Sequence, residues 1–177
     1  MKNMSRVSLA NLNDNHINYF ISLSDDPELV ATMGWKPFRK NEKERFIRQL
    51  EVLTLPYCKK GKVIIFSIIS TTDKKAIGFI SIIGTNEAKS CAEIGIAIID
   101  KGYRGHGYGT EALGKVVDYA FNELGLNLLG LTVFPSNERA IKAYEKVGFR
   151  KKELMKNSWL LPNGEYADMW LMELSRD

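Results

Sequence analysis

Cysteine and histidine are scarce in this chain of 177 residues, which holds two of each. Cys58 and Cys91 lie far apart in sequence and outside any C-x-x-C pair, which argues against a disulfide framework and against a zinc site. His16 and His106 are too few and too scattered to add a metal site. The sequence therefore predicts no resident metal and a core that needs neither metals nor disulfides.

Long apolar runs are also missing. Those present, such as residues 63–66, are far too short to cross a bilayer, and no apolar signal core follows residues 1–6. We therefore expect a cytoplasmic protein with no membrane partner. Hydrophobic residues make up 45% of the chain and charged residues 26%, which is typical of a globular protein. The length suits one domain spanning residues 1–177.

No charge sign dominates, since the net charge is only +4. This mild excess suits an anionic ligand such as a nucleotide-bearing coenzyme, and it would also suit nucleic acid. Basic clusters occur at 59–62, 74–75 and 150–152. They lack an aromatic-interleaved sheet motif or a recognition-helix pattern, so nucleic-acid binding is the less favoured reading.

Periodicity predicts the secondary structure. Strands are expected at 6–12, 62–70, 76–84, 91–99, 128–134, 149–156 and 166–174, and helices at 15–23, 41–55, 110–124 and 137–147. The segment with Gly34, Trp35 and Pro37 is predicted to be a loop. Three neighbouring strands favour an antiparallel meander, and the strand–helix–strand unit from 91 to 134 favours a parallel crossover. The predicted fold is α/β (mixed α+β), with a mostly antiparallel sheet of six to seven strands and helices on both faces.

A glycine-rich turn joins the strand at 91–99 to the helix at 110–124. Its glycines permit positive φ and leave backbone N–H groups uncovered. Those donors and the helix N-terminus suit a diphosphate, and Arg104 can add a charged fork to the phosphate oxygens. The turn reads Arg104, Gly105, His106, Gly107, Tyr108, Gly109, Thr110.

Two other phosphate motifs nearly match this turn, and both fail. Residues 107–112 fit the dinucleotide fingerprint G-x-G-x-x-A, but no acidic residue lies near 126–131, where that motif expects one. Residues 109–115 fit G-x-x-x-x-G-K, but Val116 replaces the Ser or Thr that binds magnesium. The alternative is a glycine-rich turn that binds no ligand. Because glycine loses much conformational entropy on folding, so many glycines would then destabilise the turn without serving a function.

Two motifs carry a family resemblance. Arg104-x-x-Gly107-x-Gly109 and the segment from Asn137 to Phe149 resemble the signatures of the GNAT N-acetyltransferases. The order of elements is similar over nearly the whole chain, and two motifs at this separation are highly specific. Trp35 and residues 163–168 resemble most closely the ribosomal-protein-alanine and spermidine N-acetyltransferase branch. The resemblance implies acetyl transfer from acetyl-CoA to a primary amine by direct attack, with CoA as product.

The resemblance assigns roles to the strand at 91–99. Its backbone at Ile96, Ala97 and Ile98 is expected to contact the pantetheine arm, while residues 104–110 hold the pyrophosphate. Alternation places Glu93 on a face that is otherwise small. Glu93 is the candidate general base, acting directly or through water. The plain alternative is a strand carboxylate that is solvated or paired with a lysine.

The helix at 137–147 is expected to carry two further site residues. Asn137 and Tyr144 are seven positions apart, so two helical turns place them on one face. In the family the equivalent Asn binds the pantetheine arm and the equivalent Tyr protonates the departing sulfur. Alternatively, Asn137 caps the helix and Tyr144 packs against Phe149.

The sequence says little about which residues bind the amine that accepts the acetyl group. By resemblance, Glu28, Trp35, Trp159 and Tyr166 are the candidates for substrate binding. The acceptor can be a peptide N-terminus, a polyamine or another small amine. A CoA-binding sensor without turnover is the alternative to an enzyme, and the sequence leaves open whether the chain forms a homodimer.

Overall fold

A computed structural model describes residues 4–55, 58, 61–86 and 90–177. The strands are β1 (Val7–Asn11), β2 (Lys62–Ser70), β3 (Ala76–Asn86), β4 (Cys91–Ile98), β5 (Leu128–Val133), β6 (Arg150–Leu160) and β7 (Tyr166–Ser175). The helices are α1 (Asp14–Ser22), α2 (Pro27–Met33), α3 (Lys43–Leu50), α4 (Tyr108–Asn122) and α5 (Glu138–Val147), with a short 3-10 turn at Lys101–Tyr103. Lys59 and Lys60, from one predicted basic cluster, lie outside the described residues.

The strands form one seven-stranded sheet in the order β1-β2-β3-β4-β5-β7-β6. Every neighbouring pair is antiparallel except β4 and β5, which are parallel and joined through α4. The mixed, mostly antiparallel sheet and its single parallel crossover are therefore confirmed. Such a crossover needs an intervening helix because the chain must return to the same end of the sheet.

The sheet opens between its two parallel strands. Pairing of β4 with β5 covers only residues 91–93 and 128–130. Beyond that point β4 continues to pair with β3, for example Ile96 with Ile80 and Ile98 with Gly78. Alternate backbone groups of a strand point to opposite sides, so part of the backbone of residues 94–98 faces the opening rather than a partner strand.

Helices cover both faces of the sheet, as the alternation along β4 predicts. Ala92 and Ile94 of β4 belong to a core cluster with Leu113 and Val116 of α4. On the opposite face, Ala97 belongs to a cluster rich in aromatic side chains from α1 and α3, including Phe20 and Phe46. Burial of one apolar stripe of α4 thus fixes the helix beside the opening.

Helix α2 was not predicted, although the sequence carries its signals. Asp26 caps the helix by accepting a hydrogen bond from the Leu29 amide at 3.0 Å, and Pro27 occupies the first turn. Gly34 ends it with φ of 60°. The expected loop is therefore wrong for residues 27–33, while Trp35 does lie outside the helix.

Helix α3 ends at Leu50, whereas the periodicity predicted that it continues to Leu55. The backbone leaves the helix because the amides of Thr54 and Leu55 donate to the Glu93 carboxylate, at 2.7 and 2.9 Å. An amide bonded to a distant carboxylate is not available to a helical carbonyl. A tertiary hydrogen bond thus overrides the local apolar pattern.

The two cysteines, distant in sequence, meet in space. Their Sγ atoms are 3.3 Å apart, with both side chains buried, and they remain thiols. Across 4–55, 58, 61–86 and 90–177, no group of three or more His, Cys, Asp or Glu side chains could hold a metal ion. None of the described helices is long and apolar enough to cross a membrane.

Candidate functional site

A cavity of about 310 Å³ lies beside the open edge of β4. Strand β4, the glycine-rich turn, α4, α5 and α2 all contribute to its wall. Its lining includes Ile96, Ala97, Ile98, Arg104, Gly105, Gly107, Tyr108, Gly109, Thr110, Asn137, Arg139, Lys142, Tyr144 and Lys146. The cavity thus brings together the predicted strand, turn and helix residues, with the exception of His106, Glu93 and the acceptor candidates.

The glycine-rich turn presents uncommitted amides to this cavity. Gly105 and Gly107 adopt φ of 77° and 85°, a region that favours glycine. Within the part of the chain that the structure describes, no acceptor takes the N–H groups of residues 105–110. The first backbone bond of α4 runs from Glu111 N to Gly107 O at 3.1 Å. Free amides at the positive end of a helix are suited to bind an anion.

Arg104 does not offer its guanidinium to the cavity in the way the sequence suggested. Its Nη1 lies 2.6 Å from Asp26 Oδ1 and 3.2 Å from Glu28 Oε2. Its Nε and Nη2 donate to the carbonyls of Ile98 and Ile99, at 2.9 and 2.6 Å. The expected charged fork to phosphate is therefore corrected: protein acceptors take these donors, and the Arg104 side chain braces the end of β4 against α2.

A second arginine supports the turn from its other side. Arg6 donates through Nη1 to the His106 carbonyl at 2.8 Å and through Nε to Glu111 Oε2 at 3.3 Å. The Glu111 carboxylate also accepts from the Arg6 amide at 2.8 Å and from the Ser5 hydroxyl at 2.6 Å. Burial raises the pKa of Glu111, but these hydrogen bonds outweigh it and the net pKa is lowered. The carboxylate is thus held ionised and compensated in the first turn of α4.

Asn137 combines the two roles that the sequence left open. Its Oδ1 accepts from the Ala140 amide at 3.2 Å and caps α5, while the residue also lines the cavity. A side-chain oxygen in this position satisfies one of the free amides of a helix start. No described residue accepts a hydrogen bond from its Nδ2, which leaves two donors for a ligand.

Tyr144 is 9% exposed and packs against Phe149, with ring centroids 6.3 Å apart. The residue still lines the cavity, and its hydroxyl makes no hydrogen bond to the described residues. Burial raises the pKa of Tyr144 to about 12. A hydroxyl with this pKa keeps its proton at neutral pH and can donate it.

Glu93 is not among the residues that line the cavity and is only 4% exposed. Besides the amides of Thr54 and Leu55, it accepts a short hydrogen bond from the Thr54 hydroxyl. Burial raises the pKa of Glu93, and these hydrogen bonds only partly oppose that effect. The Thr132 hydroxyl lies 2.9 Å from Thr54 Oγ1. Because the Thr54 proton points to Glu93, Thr132 is the donor in this contact, and the hydroxyls form a chain that ends on the carboxylate.

The acceptor candidates do not converge. Glu28 is held by Arg104 and by Arg139, whose Nη2 is 2.7 Å from Glu28 Oε1. Trp35 is 3% exposed in the aromatic core. Trp159 donates to the Gly34 carbonyl at 3.0 Å. Tyr166 is 62% exposed near the turn between β6 and β7, away from the cavity wall.

The sequence reasoning missed the cationic residues of α5. Arg139, Lys142 and Lys146 line the cavity at spacings of three and four residues. Side chains at such spacings share one helix face. Their mutual spacing along the helix could have revealed them as one cationic face. Thr54 and Thr132 carried no sequence signal, because only the tertiary fold brings them to Glu93.

An opened sheet edge beside a cavity lined by residues with free amides suits a protein that binds a phosphate-bearing coenzyme. The model of the "Acetyltransferase (GNAT) domain" matches residues 6–150, and the chain belongs to this family. It is an N-acetyltransferase that uses acetyl-CoA. The amides of residues 105–110 fit the diphosphate of that coenzyme.

Relatives and solved structures agree with this assignment. "Uncharacterized N-acetyltransferase p20" of Bacillus licheniformis is 29% identical over 84% of this chain and 81% of its own length. Spermidine N(1)-acetyltransferase of Escherichia coli K12 is 37% identical over 54% of this chain, and the chain spans about half the length of that and most other matching relatives. Spermidine N-acetyltransferase from Vibrio cholerae, solved with CoA and spermine, has a TM-score of 0.77 at 21% identity, covering 97% of this chain and 96% of its own. The last likeness shows the fold alone.

Proposed function

We propose that the chain transfers an acetyl group to the primary amine of a polyamine, another small amine or a peptide N-terminus, by direct attack on the thioester. One observation supports the assignment of roles: Gly105 and residues 107–110, whose amides are uncommitted, line the same cavity as Tyr144, whose hydroxyl has no partner among the described residues. Acetyl-CoA supplies an activated acetyl thioester. The amides hold its pyrophosphate, and the open edge of β4 at 96–98 receives its pantetheine arm.

Direct attack requires a base and an acid on opposite sides of the reacting carbon. The amine nitrogen bonds to the acetyl carbon as the carbon–sulfur bond breaks. The nitrogen loses a proton to the Thr132 hydroxyl, which passes it through Thr54 to Glu93. Tyr144 gives its proton to the departing sulfur. Each proton transfer uses a group whose raised pKa favours the protonated form.

The position of Glu93 supports a relayed proton transfer rather than direct contact. The carboxylate is almost fully buried and three protein hydrogen bonds occupy it. Thr132 is half-buried on β5, beyond the point where β5 parts from β4. A hydroxyl at this position is the accessible end of the chain, so the amine is expected to approach from the β5 side.

Among amines, a polyamine is the first candidate. The spermidine N(1)-acetyltransferase of Escherichia coli shares 37% identity over 97 residues with this chain. The expected cytoplasmic location stays a prediction, and so do the substrate contacts of Glu28, Trp35 and Tyr166 and a homodimer.

The proposed function is tested by thiol release from acetyl-CoA with a panel of acceptors: spermidine, peptides beginning with Ala or Ser, and aminoglycosides. We expect turnover with at least one amine and acetylation of its nitrogen by mass spectrometry. Tight CoA binding without turnover of any acceptor would instead support a CoA sensor. DNA binding that competes with CoA and weakens steeply with salt would support the nucleic-acid alternative.

A further inference from the structure

Helix α5 forms a cationic wall of the coenzyme cavity. Arg139, Lys142 and Lys146 all line the cavity from this helix. Residues three, four and seven positions apart share one helical face, so the three cations form a ridge along the cavity. A ridge of this kind raises the local potential for anions and disfavours cationic amines.

The cavity cations differ in whether a carboxylate already neutralises them. Arg104 pairs with Asp26 and Glu28, and Arg139 pairs with Glu28 at 2.7 Å. Lys142 and Lys146 make no ion pair or hydrogen bond with any residue in the described ranges. Both are exposed at the rim. Two ammonium groups are therefore available to a ligand in the cavity.

The coenzyme has one phosphate more than the glycine-rich turn accounts for. Neutral amides at a helix start suit the pyrophosphate. The 3′-phosphate on the ribose is a monoester, which carries a charge of about −1.5 to −2 at pH 7 because its second pKa is about 6. Lysine binds phosphate as a compact point charge, so two unpaired lysines one turn apart match such a dianion.

We propose that Lys142 and Lys146 bind the 3′-phosphate of the coenzyme and thereby select CoA thioesters over acyl donors that lack this group. The assignment rests on the proposed function, since it places the same coenzyme in the same cavity. It also explains why the amine has to enter elsewhere: the α5 wall repels a polycation.

The test compares CoA with 3′-dephospho-CoA by calorimetry on the intact protein, for wild type, Lys142→Gln, Lys146→Gln and the double variant. Lys40→Gln is the matched control, because Lys40 is an exposed lysine away from the cavity. We expect each cavity variant to bind CoA about tenfold more weakly, as for the loss of a charge-assisted contact. The Kd for 3′-dephospho-CoA should be unchanged. The wild-type preference for CoA should disappear in the double variant.

The proposal would be overturned if the variants lost affinity for CoA and for 3′-dephospho-CoA equally, or lost affinity for neither. These results are distinguishable from a failure of the proposed function. In that case wild-type protein would not bind CoA or release thiol, whereas failure of the lysine assignment leaves wild-type turnover intact. Circular dichroism and thermal unfolding of each variant separate a binding defect from a folding defect.

Discussion

The Arg104 guanidinium and the Asp26 carboxylate form a partly buried ion pair, with Nη1 2.6 Å from Oδ1 and the side chains 6% and 20% exposed. The pair joins the residue that follows β4 to the cap of α2. Hydrogen bonding to Arg104 lowers the pKa of Asp26, so the carboxyl is ionised at neutral pH. Arg104 is therefore a positioning residue for the cavity mouth.

Replacing Arg104 by Met should destabilise the fold. The change leaves Asp26 without its partner and two carbonyls without donors, which costs about 1–3 kcal/mol for groups left unsatisfied in a partly buried site. Arg139→Met is the matched control, since that pair with Glu28 is half exposed and is worth about 0–1 kcal/mol. Urea unfolding measures both. Similar losses in the two variants would contradict the bracing role.

Arg6→Gln should weaken CoA binding although Arg6 lies outside the cavity wall. The Glu111 carboxylate would lose its nearest cation and repel phosphate at the start of α4, which reduces affinity by about fivefold. Adding Glu111→Gln removes that repulsion and should restore part of the affinity. Calorimetry of CoA binding by the wild type, the two single variants and the double variant shows whether the second substitution restores affinity. A double variant that binds more weakly than Arg6→Gln would show that the contact acts only through loop geometry.

Tyr144→Phe should lower kcat by about 10²–10⁴, the usual contribution of a general acid, with little change in the Kd for CoA. Because burial raises the pKa of Tyr144 to about 12, its proton is retained across the neutral and mildly alkaline range. The wild-type kcat should therefore show no fall from loss of this proton up to about pH 10. A variant with unchanged kcat would remove the acid role.

The hydroxyl chain to Glu93 predicts a specific pattern of rescue. Thr132→Val should reduce kcat by about 10²-fold because it removes the accessible end of the chain, whereas Thr132→Ser restores the hydroxyl and should retain activity. Activity of the wild type falls as pH decreases through the pKa of Glu93, which burial raises above the usual range. Glu93→Gln should abolish this acidic limb.

If Thr132→Val and Thr132→Ser have the same kcat, no proton passes through this residue. Glu93→Gln tests the structural role separately. A neutral amide cannot satisfy all the donors of Thr54 and Leu55, so unfolding free energy should fall by about 1–3 kcal/mol. A fully active but less stable Glu93→Gln protein would make the carboxylate a structural anchor only.

Much of the fold could be predicted because apolar periodicity and turn residues act locally. The alternation along β4 and the apolar stripe of α4 specified which faces are buried, and both are confirmed by the two core clusters. The predicted end of α3 was wrong because of a long-range contact. The amides of Thr54 and Leu55 donate to Glu93 instead of continuing the helix. Helix α2 is different, since its cap and terminal glycine were readable.

The site was predictable to the extent that motifs encode backbone shape. The alternating glycines indicated exposed amides, and Asn137 and Tyr144 were placed on one face by helical spacing. The partners of Arg104 were not predictable, because Asp26 and Glu28 lie more than seventy positions away. The pairing decides whether a cation is available to a ligand, so sequence alone assigned to Arg104 a phosphate contact that its ion pairs with Asp26 and Glu28 disfavour.

The central claim is that the amides of residues 105–110 hold the pyrophosphate of the coenzyme. It is tested most directly by titrating ¹⁵N-labelled protein with CoA and following the backbone amides of Gly105 and Gly107. Gly125 and Gly164 are matched controls, since they share the positive φ and lie away from the cavity. S-acetylpantetheine, which lacks the pyrophosphate, is the control ligand.

The account predicts large downfield shifts at Gly105 and Gly107 with CoA, none at Gly125 and Gly164, and none at any of the four with S-acetylpantetheine. Saturation of the protein by CoA with the Gly105 and Gly107 amides unmoved would contradict it.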